Sequence, residues 1–367
     1  MIETAVTPLT DVARFLDDWR SLYAARERRS FFLSPAWIDA WLAGRPSDGG
    51  LYEARGLQNG RLVLLGAVGT PASVSPPVLG ARRAHLHEYG VDALDSIYIE
   101  DNDFLLAPDV GDEARAQAIA AITEATGAEE IVFRNCASPL VDETTRFAAT
   151  EGWRCSTLNV QPGFAVDLAA ARADGAGALG KTSSALRAKI NRALRRYQER
   201  GAVDLRVAQT DEDWTDFWDK LIGLHGKGWA RRGAKGAFAN PAFIAFHKRL
   251  RACAPDSVQL LELRAGEQTI GCLYNFLHQG RVLNYQSGFL YENDNQLTPG
   301  LLAHALAMQH YLEAGFDSYD LLAGDAGYKR RLAGQTAGVS TLVLEKRSVR
   351  SSLRNSFRRL VRGAQRS

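Results

Sequence analysis

Cysteine and long apolar stretches are scarce in this chain of 367 residues. The four cysteines, which form no Cys-x-x-Cys pair, are Cys136, Cys155, Cys253 and Cys272. Their wide spacing argues against a disulfide framework and a zinc site, so no metal is expected. No stretch approaches the roughly 20 apolar residues of a membrane-spanning helix, and the N-terminus lacks the basic opening and apolar run of a signal peptide. We therefore expect a cytoplasmic protein.

Net charge is also small, at +2, but the positive charge is concentrated in two segments. Lys181–Arg200 contains seven Lys or Arg and a single acid, Glu199, and the segment from Lys346 to the C-terminus contains eight and no acid. Such segments are typical of contacts with phosphates on a ligand, a nucleic acid or a lipid surface. Two solvated helix faces would explain them equally well.

Two similar runs of secondary structure are visible along the chain, and the length and the 46% hydrophobic content suit two domains with substantial cores. The first half predicts strands at Glu3–Pro8, Leu51–Leu57, Arg61–Val68, Ser96–Glu100, Glu130–Arg134 and Arg154–Val160, with helices beginning near Val12, Ser34, Gly111 and Pro139. The second half predicts strands at Val203–Ala208, Val258–Leu263, Thr269–Leu277, Val282–Phe289, Ser318–Leu322 and Val339–Glu345, with helices beginning at Asp211, Asn240, Pro299 and Gly324. A basic helix that Gly201 ends precedes the second run.

A three-strand meander followed by a β-α-β crossover predicts an α/β (α+β) fold with a mixed sheet and helices on both faces. This element order is that of the GNAT fold. We expect two tandem domains, with residues 1–165 as a degenerate N-terminal copy, 166–202 as a basic linker helix, 203–347 as the C-terminal domain and 348–367 as a basic amphipathic tail.

Several segments of the second half carry a more specific resemblance. They are Lys181–Arg187, Leu224-His225 with Trp229, Phe246-His247, Leu297–Leu302, and Tyr319–Asp325 running into Tyr328-Lys329. In this order they resemble GNAT-superfamily acetyltransferases of the bacterial cellulose-biosynthesis type, which have two fused GNAT-like domains and are distantly similar to Fem-type transferases. The resemblance implies an acyltransferase, with acetyl-CoA or another acyl-CoA as co-substrate.

Under this resemblance, the donor would bind where the third meander strand leads into the Pro299 helix. The positive helix end and its free N–H groups suit a pyrophosphate, and the third strand would separate from its neighbour to receive the pantetheine arm. The expected contacts are Thr298, Gly300, Leu301, Leu302, Tyr285 and Lys329. An ordinary proline-initiated helix would explain the same helix start.

Tyr328 is the main catalytic candidate, since a phenol can protonate the departing thiolate. Asp325 is expected either to accept from the acceptor amine or hydroxyl or to cap a short helix. Lys329 would pair with a phosphate or with Asp325, or be solvated. His225, Trp229 and His247 are the expected acceptor contacts, although lone histidines on amphipathic helices are often structural.

The acceptor class remains open at this stage. We expect an amine or hydroxyl on a sugar, a polysaccharide precursor or another small metabolite. A Fem-type transferase that uses aminoacyl-tRNA, held by Lys181–Arg200 and the basic tail, is the alternative, and a non-catalytic scaffold is a third possibility. The arginine-rich tail also suits peripheral contact with an anionic membrane, at the inner face of the cell membrane.

Overall fold

A computed structural model describes residues 2–27, 29–47, 50–72, 80–348 and 351. The chain divides into two compact units. Unit 1 contains the described residues of Met1–Val160 and those from Val339 onward, whereas unit 2 is the continuous segment Gln161–Gly338. Within the described ranges, no helix combines the length and the apolar character needed to cross a membrane.

The first part of the chain alternates strands and helices much as its sequence pattern predicts. In chain order the elements are β1 (Glu3–Pro8), α1 (Val12–Ala24), α2 (Pro35–Leu42), β2 (Gly50–Gln58), β3 (Arg61–Thr70), β4 (Arg83–Leu86), α3 (Asp92–Asp95), β5 (Leu105–Leu106), α4 (Glu113–Thr126), β6 (Glu130–Cys136), α5 (Ser138–Thr150) and β7 (Arg154–Asp167).

The second part follows the same scheme after two added helices. Its elements are α6 (Leu168–Ala173), α7 (Ser184–Gln198), β8 (Val203–Val207), α8 (Asp211–Ala230), α9 (Pro241–Cys253), β9 (Val258–Ala265), β10 (Gln268–His278), β11 (Arg281–Phe289), α10 (Pro299–Glu313), β12 (Ser318–Asp320), α11 (Gly327–Leu332) and β13 (Gly334–Glu345).

Helix starts follow local capping chemistry. The Thr210 side chain accepts from the backbone of Asp213 while the Asp213 carboxylate accepts from that of Thr210, a capping box that opens α8. Asn240 and Ser183 cap α9 and α7 through their side chains. These polar residues explain why the sequence pattern located the helices of unit 2 well.

Both units have the strand order expected of a GNAT fold. In unit 1 the order is β1-β2-β3-β4-β6-β13, and in unit 2 it is β7-β12-β11-β10-β9-β8. Each contains an antiparallel meander, one parallel pair (β4 with β6, β11 with β12) and a last antiparallel strand. The predicted mixed α/β fold is therefore confirmed.

The last strands differ from the domain boundaries expected from the sequence. The strand Arg154–Val160, expected to close the first domain, lies in unit 1, but β7 continues to Asp167 and its end pairs with β12 through Ala165–Asp167. β13, expected to close the second domain, pairs with β6 through Ser340–Glu345. The physical reason is that an alternating pattern defines which faces of a strand are buried but not which strand lies beside it. Unit 1 is consequently discontinuous in sequence.

The expected linker helix is instead part of unit 2. Leu186, Ile190 and Tyr197 of α7 are buried in the same hydrophobic core as α10 and the β9–β11 meander. Burial of this apolar face directs the arginines of α7 outward, so the helix is both a core element and a basic surface. The predicted amphipathic tail lies almost wholly outside the described residues.

One predicted strand of the first half is absent. Ser96–Glu100 is not extended, and the third meander strand is β4 instead. His87 and Tyr98 have φ values of 54° and 48°, in the left-handed region that interrupts a strand. Apolar alternation in this stretch reflects the buried side chains Ile97 and Ile99 of a loop.

Candidate active site

A wedge opens between the two parallel strands of unit 2. β11 and β12 pair only from Arg281–Ser318 to Leu283–Asp320, and β11 then continues to Phe289 without β12. The pairing register between β10 and β11 shifts between Asn284 and Gln286, so Tyr285 is an extra residue of β11. This β-bulge turns β11 where it leaves β12. Beyond Leu283, no strand of the described residues pairs with this edge of β11, and such an edge can hydrogen-bond to an extended ligand.

The amino end of α10 lies directly after this strand and offers free donors. Helical hydrogen bonding begins with Leu302 N–H donating to the Thr298 carbonyl at 3.1 Å, so the N–H groups of Gly300 and Leu301 have no helical acceptor. The Thr298 hydroxyl makes no capping bond and is buried without a partner among the described residues. A Cβ on Gly300 would lie 3.1 Å from the Phe289 ring, so space here is limited.

Leu302 contributes differently from the other expected donor contacts. Its N–H is used within α10 and its side chain is fully buried in the core of unit 2. Leu302 therefore anchors the helix start, while Thr298, Gly300 and Leu301 supply the groups that suit a phosphate.

Tyr328, on α11, packs against the buried ring of His304 on α10. Its ring stacks on that of His304, with centroids 5.3 Å apart and planes at 11°. Burial, and then the nearby hydroxyl of Tyr291, raises the pKa of Tyr328 to about 12. The phenol therefore keeps its proton at neutral pH, as a proton donor to a leaving thiolate requires.

His304 is a residue that the sequence reasoning missed. It is fully buried on α10, and its Nδ1 lies 3.0 Å from the hydroxyl of Tyr319 on β12. Burial, together with the positive charge of Lys329, lowers the pKa of His304 to about 3, so the imidazole is neutral. A single polar residue in the apolar run Leu301–Met308 was the available signal.

This neutral histidine predicts a pH-dependent stability. The unfolded chain binds a proton at His304 below the ordinary pKa of 6.5, whereas the folded chain does not until about pH 3. The free energy of unfolding is therefore highest above pH 6.5. It decreases as the pH is lowered, by about 2 kcal/mol at pH 5. Urea unfolding at pH 7.5 and 5.0 should show that His304→Gln loses less stability than the wild type. His310→Gln is the control, and equal losses in all three proteins would contradict a neutral His304.

Lys329 points into its own loop. Its ammonium donates to the carbonyls of Leu322 at 3.2 Å and Ala323 at 2.7 Å, and the residue is buried. Leu322 has a φ of 60°, an uncommon conformation for a bulky residue that these bonds help to hold. Lys329 therefore organises the loop before Tyr328, whereas it was expected to pair with a phosphate or with Asp325 or to be solvated.

Asp325 is exposed and forms an ion pair with Arg330. The helix cap of α11 is Ala326, with no side-chain capping bond, so the expectation that Asp325 caps this helix was wrong. Because its carboxylate is paired with Arg330, Asp325 is less suited to accept a proton from the acceptor.

His225 lies on the other side of β11, on α8. A Cβ on Gly288 would come within 2.8 Å of the Leu221 carbonyl and the His225 N, so only glycine allows this close approach of helix to strand. The His225 Nδ1 lies 3.0 Å from the Ser287 carbonyl, and because a carbonyl only accepts, Nδ1 carries the proton. The other nitrogen, Nε2, is buried and has no partner among the described residues.

The imidazole of His225 is held in its neutral form, and its Nε2 lies against Gly236. Burial lowers its pKa, the bond to Ser287 opposes this, and the charge of Arg232 lowers it further. Trp229, one turn along, has its ring 5.9 Å from the His225 ring and lies beneath the Arg232 guanidinium at 4.3 Å. A neutral base next to an aromatic surface suits an acceptor site.

Tyr291, which the sequence reasoning also missed, connects these two sides. A Cβ on Gly228 of α8 would lie 3.4 Å from its ring, and Arg231 donates to its carbonyl at 2.6 Å. The same residue is close enough to Tyr328 to raise its pKa. The end of α8 and the start of α11 therefore border one region.

His247 and the Tyr285 ring are placed elsewhere. His247 is fully buried with its Nδ1 3.1 Å from the Tyr274 hydroxyl, and burial lowers its pKa far below the usual value. Its ring packs 5.0 Å from that of Tyr285 and against Phe243 and Phe276. This is a core position, so Tyr285 borders the wedge through its bulged backbone and His247 is not included in the candidate site.

The corresponding wedge of unit 1 is filled by its own chain. β4 and β6 also pair over three residues, and Asn102 then lies beside β6 in a parallel bridge with Cys136. Its side chain donates to the Leu86 carbonyl at 3.0 Å and lies 2.8 Å from His87 Nδ1, while its N–H donates to Asn135. Only unit 2, within the described residues, combines an open wedge with free helix donors.

A family model matches part of unit 2. Residues 184–330, less than half of the chain, match the family model described as Acetyltransferase (GNAT) domain. This segment is similar to GNAT-type acetyltransferase domains. No curated protein sequence matches the chain significantly.

Solved structures share the fold over nearly the whole chain. FemX aligns with a TM-score of 0.56 at 9% identity, covering 89% of this chain and 95% of FemX. A tandem GNAT protein from the clavulanic acid biosynthesis pathway aligns with a TM-score of 0.52 at 12% identity, covering 95% and 100%. The C-terminal domain of a putative lysylphosphatidylglycerol synthetase from Agrobacterium fabrum aligns at 0.50 and 12% identity, covering 94% of each chain. At these identities the likeness concerns the GNAT fold alone.

Proposed function

We propose that the GNAT domain transfers an acyl group, most directly acetyl, from acyl-CoA to an amine or hydroxyl of a small-molecule or glycan acceptor. The observation that carries the proposal is the wedge between β11 and β12 followed by the free donors at the start of α10. The edge of β11 suits the amide groups of pantetheine, and Thr298, Gly300 and Leu301 suit the pyrophosphate.

His225 and Tyr328, on the two sides of the site, each carry out one proton transfer. The acceptor attacks the thioester carbonyl carbon, a C–N or C–O bond forms, and its proton passes to Nε2 of His225. The C–S bond breaks and the thiolate takes the proton of the Tyr328 hydroxyl, after which both residues exchange protons with water. Trp229 and Tyr291 border the acceptor, and Lys329 fixes the loop that carries Tyr328.

Donor binding is tested by titration calorimetry with acetyl-CoA, longer acyl-CoAs and free CoA. We expect saturable binding that Gly300→Leu weakens by about tenfold to a hundredfold, because the new side chain meets the Phe289 ring. Gly223→Leu is the matched control, since Gly223 is an exposed helical glycine with open space around it. Absence of binding to every CoA compound would overturn the proposal.

A Fem-type reaction with aminoacyl-tRNA is the second candidate. Lys189, Arg192 and Arg195 point outward from α7, with no carboxylate at ion-pair distance in the part of the chain that the structure describes. Retention of charged tRNA that falls steeply between low and physiological salt would favour it. A non-catalytic scaffold would require that Tyr328→Phe leave the cellular phenotype intact.

For the acceptor we propose a sugar, a polysaccharide precursor or another small metabolite. The cellulose-biosynthesis resemblance favours a sugar or polysaccharide precursor, and a cytoplasmic enzyme, peripheral at the inner face of the membrane through its basic tail, would have access to such precursors. An acceptor screen with acetyl-CoA and release of free thiol as the readout distinguishes sugars, amines and hydroxyl metabolites.

A further inference from the structure

A cavity lies in unit 2, on a part of the chain that the proposed acyl transfer does not use. Its volume is about 550 Å³, within the range of small-molecule sites. The end of β7, the loop between α6 and α7, and the end of α11 line it. The lining residues include Asp167, Asp174, Gly180, Lys181, Thr182 and Arg331.

The loop has the spacing of a phosphate-binding sequence. Residues 175–182 read Gly-Ala-Gly-Ala-Leu-Gly-Lys-Thr, which fits Gly-x-x-x-x-Gly-Lys-Thr. Gly177 has a φ of 68°, and a Cβ on Gly180 would lie 2.6 Å from that of Ala176. These glycines let the loop turn tightly so that Lys181 and Thr182 reach the cavity.

Side-chain bonds fix the loop in this shape. Arg187 donates to the carbonyls of Leu179, Gly180 and Thr182, and the Thr182 hydroxyl donates to the Leu179 carbonyl at 2.7 Å. The carbonyl oxygens, which would repel an anion, are thereby turned toward Arg187. A loop held in one conformation loses little entropy when a ligand binds.

Two cations of the cavity are available to a ligand. Lys181 and Arg331 are exposed and, among the described residues, have no carboxylate within ion-pair distance, whereas Arg330 is paired with Asp325. Two carboxylates also line the cavity, and Asp167 is engaged as the cap of α6. Asp174 remains and would favour a ligand whose phosphate lies toward Lys181 and Arg331.

We propose that this cavity binds a phosphorylated small molecule of the size of a sugar phosphate or nucleotide, with Lys181 and Arg331 on the phosphate. Lysine supplies a point charge and arginine a two-pronged donor, a combination that suits phosphate oxygens. The α6 helix separates the loop from β7, so the strand-loop-helix order of nucleotide hydrolases is absent and the site is one of binding. The proposal is independent of acyl transfer.

The test is titration calorimetry with inorganic pyrophosphate and with ADP. We expect saturable binding with a Kd of about 1 mM or lower, weakened about tenfold by Lys181→Ala and by Arg331→Ala. Lys181→Arg should restore part of the affinity. Arg192→Ala, which removes an exposed cation of α7 that does not line the cavity, is the matched control.

The Gly300→Leu protein separates this cavity from the donor site at α10. Pyrophosphate binding that survives Gly300→Leu and is lost in Lys181→Ala would support the proposal. No binding of either probe, binding that Lys181→Ala leaves unchanged, or equal weakening by Arg192→Ala would overturn it. A protein that binds pyrophosphate in this manner but no CoA compound would refute the acyl-transfer proposal and leave this one standing.

Discussion

Replacing Tyr328 with phenylalanine is expected to lower kcat for acyl transfer by about 10²- to 10⁴-fold while acyl-CoA affinity stays unchanged. The ring stack on His304 is kept, so the variant loses the hydroxyl and little else. The expected cause is that the thiolate departs without a proton donor. The measurement is thiol release under saturating acceptor, with affinity taken from calorimetry.

Tyr98→Phe provides the control for this change. Tyr98 is 45% exposed in unit 1, and loss of its hydroxyl should leave kcat within twofold or so of the wild type. If Tyr328→Phe retained full kcat, another group would have to protonate the thiolate and Tyr328 would be an aromatic of the cluster only.

A second large effect is expected from His225→Asn. The asparagine amide can still donate to the Ser287 carbonyl, as His225 Nδ1 does, but it has no basic nitrogen at the position of Nε2. We expect kcat/KM to fall about 10²-fold or more at neutral pH. The bond that orients the residue is preserved, which separates loss of the base from loss of structure.

The pH profile gives an independent readout for His225. Since its pKa is lowered below the ordinary value of 6.5, the neutral form persists below that pH and the acid limb of kcat/KM should lie there. kcat/KM falls at low pH because activity requires the unprotonated ring. His225→Asn should remove this limb, and His310→Asn should retain it. An unchanged limb in His225→Asn would assign the base to another residue.

The sequence predicted most elements of unit 2 because local chemistry determines them. Asp211, Asn240 and Pro299 were predicted as helix starts and the structure confirms them, and the meander of β9, β10 and β11 follows its glycine-bounded turns. Clusters formed by residues from distant segments could not be predicted in this way. His304 and Tyr291 become part of the site only because α10, α11 and α8 converge on it, and no spacing in the sequence encodes that meeting.

Side-chain direction was the other limit. Lys329 was identified as a candidate from its motif, but its ammonium is used by the carbonyls of Leu322 and Ala323. His247 looked equivalent to His225 on an amphipathic helix, yet its ring is fully buried among aromatic side chains, whereas the Nδ1 of His225 donates to the Ser287 carbonyl of β11. A difference of this kind arises from packing against β10 and β11 and is invisible in a helical pattern.

The return of β13 to unit 1 has a consequence for the growing polypeptide on the ribosome. β6 ends at Cys136, but the strand that covers its free edge is not synthesised until Glu345, 209 residues later by the difference of the two numbers. At about 5–20 residues per second, that edge waits about 10–40 s for its partner. Unit 2 is continuous, and its last residue, Gly338, is synthesised before the Ser340–Glu345 part of β13 that pairs with β6. β13 therefore completes a unit whose other strands are made before unit 2, and a nascent chain interrupted near Gly338 would keep the edge of β6 open to association with other chains.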